Sequence, residues 1–273
     1  MKKKHSFTTI ILVLVLLIGL SLLLYPSFSN WWNSFHQSHA IAAYQEQIAS
    51  MDEDQYQEIW EAASAYNQSL LKNPNSFVLT EEQQERYEKL LNVGDNGIMG
   101  YIEIPSIDVT LPIYHGTAES VLQMAVGHLE WTSLPVGGES SHCVLSGHRG
   151  LPSAKLFTDL DQLEKGDIFI LRVLDEELTY EVDQIRIVLP KEVEELMIQE
   201  GEDLCTLVTC TPYGINSHRI LVRGHRIDNL EEEQKVRVTA EATQISPKIV
   251  APFLAVPILF VLVLMVLIPK RRK

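Results

Sequence analysis

A cysteine stands where a strand-like run ends. The sequence TLVTCTPYG, residues 206–214, places Cys210 directly before Thr211 and Pro212, where the chain must turn. Such a thiol can be a small buried hydrophobe, half of a disulfide, a metal ligand or a nucleophile. Its position at the end of a strand, where a rigid scaffold presents side chains, favours the functional interpretations over core packing.

The other two cysteines, Cys143 and Cys205, narrow these choices. Three cysteines leave at least one free thiol in a monomer. Cys205 lies five residues before Cys210, so strand alternation places the two side chains on opposite faces. We therefore expect Cys205 to be a packing cysteine. No Cys-x-x-Cys occurs, which excludes a zinc ribbon or a thioredoxin-like motif.

A thiol becomes a strong nucleophile only when a base or a cation favours the thiolate. Of the nine histidines, His148 is the most suggestive, because it ends the run VLSGHRG between Gly147 and Gly150. The plain alternative for any histidine is ordinary hydrogen bonding at the surface or in the core. His142 and Cys143 could join His148 in a metal site, but their number and spacing match no established pattern, so we expect neither a metal nor another cofactor.

Acyl transfer also requires a donor for the developing oxyanion. The run HRILVRGHR, residues 218–226, offers Arg219, Arg223 and Arg226. Arg219 and Arg223 share a strand face by parity. Position alone does not choose between them, and either could be a solvated charge on an edge strand.

The elements that must position these residues change character at Gly100. Before it, residues 40–71 have a helical pattern, and SMDE (residues 50–53) fits a capping box that predicts a second helix beginning at Asp52. TEEQ (residues 80–83) predicts a short helix to about residue 91.

After Gly100, short β-branched runs alternate with turn signals, which favours a closed all-β barrel or a sandwich. A hairpin is predicted near Asp175 and Glu176, and short helices at residues 154–163 and 191–198.

Both ends of the chain resemble membrane segments. Residues 7–25 and 249–268 carry no charged side chain, and roughly 20 apolar residues span a bilayer as a helix. Three lysines precede the first segment and four basic residues follow the second, which predicts that both termini are cytoplasmic. A cleaved signal peptide is the alternative for the first segment, although SFS (residues 27–29) is a poor cleavage site.

The region between these segments is strongly acidic. It carries 15 basic residues and all 36 acidic residues, so a general attraction to nucleic acid phosphates is excluded. The expected order of segments is a tail with the first membrane segment (1–29), a helical region (30–99), a β domain (100–228), a linker (229–248) and the second membrane segment with a basic tail (249–273).

The run TLVTCTPYGINSHRILVRG resembles the active-site signature of sortases, in particular the class C, pilin-polymerising sortases of Gram-positive bacteria. MGYIEIPSIDVTLPIYHG, GHLEWTSLPVGG and HCVLSGHRGLPSAKLFTDL resemble the same class, over about residues 100–227. The resemblance implies an eight-stranded β-barrel, with Cys210 as the nucleophile, His148 as its proton partner and Arg219 as the residue that stabilises the oxyanion.

The implied reaction is transpeptidation. The enzyme would cleave an LPxTG-like sorting signal through a thioacyl intermediate, which a lysine amine of the next pilin resolves. The implied location is the cell membrane, crossed twice, with the catalytic domain outside. A housekeeping sortase that anchors surface proteins to the cell wall is the alternative, and a catalytically inactive membrane scaffold for pilins is a further one.

One stretch departs from the class. Its members usually carry a lid anchored by an Asp-Pro-aromatic sequence, whereas LLKNPNSFVL has Asn73 before Pro74 and its nearest aromatic residue is Phe77. We expect a lid that is weakly held or anchored differently. Deletion of residues 72–77 should then leave basal peptide cleavage without a strong increase.

Overall fold

The computed structural model of the protein describes residues 7–72, 77–94 and 96–229. Three helices precede the sheet: α1 (Phe7–Ala49), α2 (Glu53–Leu70) and α3 (Glu81–Lys89). A fourth, α4 (Glu119–Leu122), is a single turn between two strands. The Asn-Pro stretch of the expected lid, residues 73–76, lies outside the described residues, as does almost all of the linker and the whole C-terminal segment.

Capping begins α2 and α3 where the sequence predicts. The side chain of Asp52 accepts from the backbone N–H of Gln55 at 2.8 Å, so the box consists of Asp52 and Gln55 rather than Ser50 and Glu53. At α3 the predicted box is confirmed, because Thr80 and Gln83 bond reciprocally. Each box satisfies backbone donors that a helix leaves unpaired in its first turn.

Eight strands close into a barrel in the order β1-β2-β3-β4-β7-β8-β6-β5, which confirms the predicted fold class. Only the β2–β3 and β4–β7 neighbours are parallel. The strands are β1 (Ile98–Ile104), β2 (Val109–His115), β3 (Val126–His128), β4 (Ser141–Ser146), β5 (Ile168–Val173), β6 (Glu176–Val188), β7 (Asp203–Thr211) and β8 (His218–Arg226).

Alternation along the strands fills the barrel with apolar side chains. Phe169 and Tyr180 stack in the interior with ring centroids 5.5 Å apart, and both are fully buried. Cys143 and Cys205 face each other in the parallel β4–β7 ladder and belong to the same core. The prediction that Cys205 packs in the interior is confirmed.

The described residues show fewer membrane spans and shorter helices than the sequence predicts. Among the described residues, one helix is long and apolar enough to cross a membrane, with a mean hydropathy of 2.5 within residues 11–49. The second expected span, residues 249–268, lies outside the described part, so the described residues show one candidate span instead of the expected pair and do not by themselves support a multi-pass topology. The short helices expected at 154–163 and 191–198 are single 3-10 turns, Leu160–Gln162 and Glu194–Leu196.

The first apolar segment and the start of the predicted helical region form one continuous helix. α1 runs without interruption through Pro26 and the polar stretch that follows it. Its C-terminal part is held against the barrel, since Ile41 and Tyr44 pack with Ile98 and Tyr101. Tertiary contacts therefore extend the helix beyond the apolar segment.

Candidate active site

Cys210 and Arg219 are direct partners across the antiparallel β7–β8 ladder. Cys210 is half-buried, whereas Cys205 on the opposite face is completely buried. Burial raises the pKa of the Cys205 thiol well above its ordinary value, which disfavours a thiolate there. Of this pair, Cys210 is the thiol that a substrate can reach.

His148 lies on the loop after β4, beside the end of β7. The N–H of Gly147 donates to the carbonyl of Val208 at 3.1 Å, and the Thr209 hydroxyl donates to the carbonyl of Gly147 at 2.6 Å. Because β4 and β7 are parallel, both end at the same end of the barrel, and β8 begins there. We call this the Cys210 end. It brings together all three residues singled out in the sequence.

Two glycines let the His148 loop approach its neighbours. A Cβ on Gly147 would lie 2.7 Å from Phe157, a fully buried ring. Gly150 has a φ of +74°, a conformation that side chains rarely adopt, and a Cβ there would lie 2.7 Å from Tyr213. The spacing of glycines around His148 therefore reflects close packing of this loop against the core and against the β7–β8 turn.

The imidazole of His148 has a charged neighbour that the sequence did not indicate. Glu119, in α4, places its carboxylate 3.5 Å from His148 Nε2. Among the described residues, this buried Nε2 atom makes no hydrogen bond. The pKa of Glu119 is lowered, first by the hydrogen bond from Gln123 and further by His148. The arrangement places a negative charge beside the Nε2 atom of the ring.

A second residue that the sequence did not indicate, Arg149, contacts both its own loop after β4 and the residues that follow Cys210. Its guanidinium forms a salt bridge with Asp161, lies 5.9 Å from the centre of the Tyr213 ring, and donates to the Thr211 hydroxyl at 3.5 Å. It thereby connects the loop after β4 to the residues after Cys210.

The structure separates the two arginines that sequence position left equivalent. Arg223 donates two hydrogen bonds to Asp183, at 3.0 and 2.7 Å, and lies opposite Thr206. Arg219 donates to the backbone carbonyls of Asn216 and His218, at 3.3 and 3.0 Å, and no salt bridge is recorded for it in the described part of the chain. Arg219 is therefore the cation available beside Cys210.

The possible metal ligands near His148 are not brought together. His142 hydrogen-bonds the Met197 carbonyl at 2.9 Å and the Thr206 hydroxyl at 2.7 Å, and burial lowers its pKa to about 4. Cys143, the next residue, points into the barrel interior. Within the described ranges no group of three or more His, Cys, Asp or Glu side chains could hold a metal ion.

An apolar cluster adjoins Cys210 on the outer face of the sheet. Val208, two residues before Cys210, packs in it with Leu221 and Leu196, the last of these from the long β6–β7 connection. Trp131 also contacts this cluster and meets Phe77 edge to face, with ring centroids 5.0 Å apart. The site thus combines a reachable thiol, a histidine, an arginine without an acidic partner among the described residues, and partly exposed apolar side chains, as a cysteine acyl-transfer enzyme with a peptide substrate requires.

Comparison with known proteins agrees with this geometry. A family model described as the sortase domain matches residues 102–227. The structure is similar to that of sortase C1 from Streptococcus agalactiae, with 49% identity and a TM-score of 0.69, covering 70% of this chain and 100% of that one. It is also similar to sortase C from Clostridium perfringens with the C-terminal cell wall sorting motif, with 44% identity and a TM-score of 0.63, covering 70% and 100%. Sortase D from Bacillus subtilis is 34% identical over 131 residues, which is 47% of this chain and 63% of that protein's length.

Proposed function

Because the chain belongs to the sortase family of cysteine transpeptidases, we propose that Cys210 is its nucleophile, His148 its proton donor and acceptor, and Arg219 the residue that stabilises the oxyanion. The observation that carries this assignment is the direct pairing of Cys210 with Arg219 on β7 and β8. The His148 loop lies at the same end of the barrel, through its bonds to Val208 and Thr209.

The reaction follows from these positions. The Cys210 thiolate attacks the Thr–Gly carbonyl of an LPxTG-like sorting signal, and Arg219 donates hydrogen bonds to the resulting oxyanion. His148 gives a proton to the glycine nitrogen as the C–N bond breaks, leaving a thioester on Cys210. A lysine amine then attacks the thioester and gives up a proton to His148. An isopeptide bond forms and the thiolate is released.

The substrate proposal draws on the similar structures. The chain resembles class C sortases, which polymerise pilins, and the similar Clostridium perfringens structure includes a C-terminal cell wall sorting motif. We assign an LPxTG-like sorting signal as the acyl donor and a pilin lysine as the acceptor. The partly exposed members of the apolar cluster, such as Val208 and Trp131, are suited to the apolar residues of such a signal.

We also propose that α1 anchors the protein in the cell membrane of a Gram-positive bacterium. Its apolar part is long enough to span the bilayer, and Lys2, Lys3 and Lys4 before it favour a cytoplasmic N-terminus. The catalytic barrel then lies outside. Residues 249–268 would return the chain to the cytoplasm, giving a multi-pass topology.

The decisive experiment looks for the thioester. The full chain in lipid nanodiscs is incubated with an LPxTG-type peptide and examined by intact-protein mass spectrometry. The wild type and Cys205→Ala should gain the acyl mass, and Cys210→Ala should not. Formation of the adduct on Cys210→Ala would refute the assignment of Cys210 as the nucleophile. Peptide binding without any adduct on the wild type would indicate a scaffold.

Addition of purified pilin subunits tests the acceptor. Formation of covalent ladders, lost when the acceptor lysine of the pilin is replaced, supports polymerisation. A thioester that is resolved only by a cell-wall precursor amine, and never by pilin, would instead indicate a housekeeping sortase.

A further inference from the structure

The membrane helix leaves the barrel at its Cys210 end. Asn30 accepts from the N–H of Lys155 at 2.7 Å, and Asn33 donates to the carbonyl of Ser153 at 2.7 Å. Ser153 and Lys155 belong to the loop that carries His148. Since α1 runs from residue 7 to residue 49, its apolar N-terminal part continues directly beyond this loop.

Contacts farther along α1 fix its direction. The Tyr44 hydroxyl accepts from the N–H of Leu174 at 2.7 Å, and Leu174 lies in the β5–β6 turn. That turn is at the opposite end of the barrel, because β6 ends beside Arg219 and therefore begins far from it. The 14 residues from Asn30 to Tyr44 advance a helix by about 21 Å, enough to follow the barrel from one end to the other.

A separate contact also shows that the loop held by α1 lies at the Cys210 end. Lys155 Nζ donates to the carbonyl of Ile107 at 2.6 Å. Ile107 is in the short connection between β1 and β2, and β1 runs antiparallel to β5, which itself is antiparallel to β6. The β1–β2 connection is therefore at the end where β6 finishes, close to Cys210.

α1 itself carries exposed aromatic side chains at this level. Aromatic side chains are enriched at membrane–water interfaces, where an amphipathic ring suits the headgroup region. Five aromatic residues flank Asn30 and Asn33 along the helix, and each is 50% to 61% exposed: Tyr25, Phe28, Trp31, Trp32 and Phe35. The headgroup region would thus coincide with the level of the His148 loop.

The rim of the barrel at the Cys210 end is also apolar. In the β7–β8 turn, Tyr213 is 61% and Ile215 is 72% exposed; at the end of β6, Ile187 is 65% and Leu189 is 49% exposed. The described turns at the opposite end, residues 137–140, 174–175 and 199–202, expose no large hydrophobic side chain. The asymmetry is typical of a surface that contacts a partner rather than water.

We propose that this apolar rim, formed by Ile187, Leu189, Tyr213 and Ile215, lies in the interface of the bilayer that α1 spans, so that Cys210 faces the membrane. The proposal rests on the membrane anchoring described above. The continuity of the rim with α1 at one end of the barrel identifies lipid as its partner.

The charges near the rim indicate which lipids it requires. Arg149 is paired with Asp161 and Lys155 with Asp159, so these two basic groups are neutralised within the protein. The exposed Arg186 and Lys191 beside the rim are matched in number by the exposed Glu192 and Glu194. The contact is then made by apolar and aromatic groups rather than by a basic patch. Zwitterionic phosphatidylcholine should be sufficient.

Spin-label depth measurements on the full chain test the proposal. In a Cys210→Ala background, Ile215→Cys is labelled with a nitroxide in phosphatidylcholine nanodiscs that hold one protein each; Cys143 and Cys205 are too buried to react. The matched control is Glu139→Cys, an exposed residue at the opposite end. Accessibility of each label to oxygen, which partitions into lipid, is compared with accessibility to a water-soluble nickel chelate.

We expect the oxygen-to-nickel ratio to be severalfold higher at residue 215 than at residue 139, with the same result for Tyr213→Cys as a second site. Equal ratios at 215, 213 and 139 would overturn the proposal, as would a high ratio that appears only in anionic lipid. Failure of the chain to enter nanodiscs would instead refute the anchoring itself. None of these readings depends on catalysis, so an error in the proposed reaction would remain distinguishable.

Discussion

Cys210 lies directly opposite Arg219 on neighbouring strands, whereas Arg223, on the same face of β8, lies opposite Thr206 and is engaged by Asp183. Two arginines four residues apart therefore lie in different environments. Within the described ranges, Arg219 hydrogen-bonds only to backbone carbonyls and can turn toward a developing charge. Arg223 is fixed by a carboxylate.

This difference predicts opposite outcomes for two matched substitutions. Arg219→Ala should lower kcat by about 100- to 1,000-fold, the usual cost of removing one oxyanion donor. Arg223→Ala should leave kcat/KM close to the wild-type value and lower the thermal midpoint, because Asp183 loses its partner. Peptide cleavage and thermal unfolding measure the two effects. A loss of activity in Arg223→Ala as large as in Arg219→Ala would contradict the distinction.

Glu119 should act through His148. Replacing it with Gln removes the negative charge 3.5 Å from Nε2 but keeps the size of the side chain. Because the Glu119 side chain is 71% exposed, the interaction is weak and screened, so we expect kcat/KM to fall only about two- to fivefold at low salt, and less at high salt.

The control is Glu139→Gln, which removes an exposed carboxylate at the opposite end of the barrel. It should show no such salt-dependent loss. A Glu119→Gln effect that persists unchanged at high salt would indicate a role other than the electrostatic positioning of His148.

His142 should make stability dependent on pH. Burial lowers its pKa from 6.5 to about 4, so the unfolded chain binds a proton more readily than the folded one. The stabilisation is therefore fully present above pH 6.5 and is lost as the pH falls toward 4, by an amount on the order of 3 kcal/mol. The thermal midpoint of the nanodisc-embedded chain, followed by near-UV circular dichroism, measures this loss.

Other groups titrate in the same range, so the informative quantity is the difference from His142→Gln, which cannot titrate. That variant should start less stable at pH 7 and lose less stability between pH 6.5 and 4. Parallel pH profiles for the two proteins would show that His142 does not contribute.

Local patterns predicted much of this architecture. Parity along one strand separated Cys210 from Cys205, and capping sequences located the starts of α2 and α3, because these signals depend on neighbours close in sequence. The resemblance to class C sortases supplied the choice of Arg219 over Arg223. Parity could not do so, since the deciding partner, Asp183, is on another strand.

The remaining features depend on contacts between distant segments. Glu119 reaches His148 only because the β2–β3 connection passes over the Cys210 end. The lengths of the short helices at 154–163 and 191–198 were overestimated because some of their backbone groups bond to residues outside the helix. The N–H of Phe157 donates to the carbonyl of His148, and the carbonyl of Met197 accepts from the His142 ring. Similarly, α1 continues through Pro26 and the polar stretch after it, and its C-terminal part packs on the barrel.

The attachment of α1 to the barrel depends on Tyr44. The Tyr44 hydroxyl donates to the carbonyl of Met99 at 3.0 Å and accepts from the N–H of Leu174 at 2.7 Å, and its side chain is only 1% exposed. Tyr44→Phe leaves both backbone groups without this partner, which should cost about 1–3 kcal/mol for each buried group left unsatisfied. The thermal midpoint should therefore fall by several degrees.

Tyr56→Phe is the matched control, since its hydroxyl donates to Glu176 at the surface and its loss should change stability by no more than about 0.5 kcal/mol. If α1 orients the barrel on the membrane, Tyr44→Phe should also increase hydrogen exchange in residues 30–47, whereas Tyr56→Phe should not. Equal protection of α1 in the two variants would mean that Tyr44 is not what holds the membrane helix against the catalytic barrel.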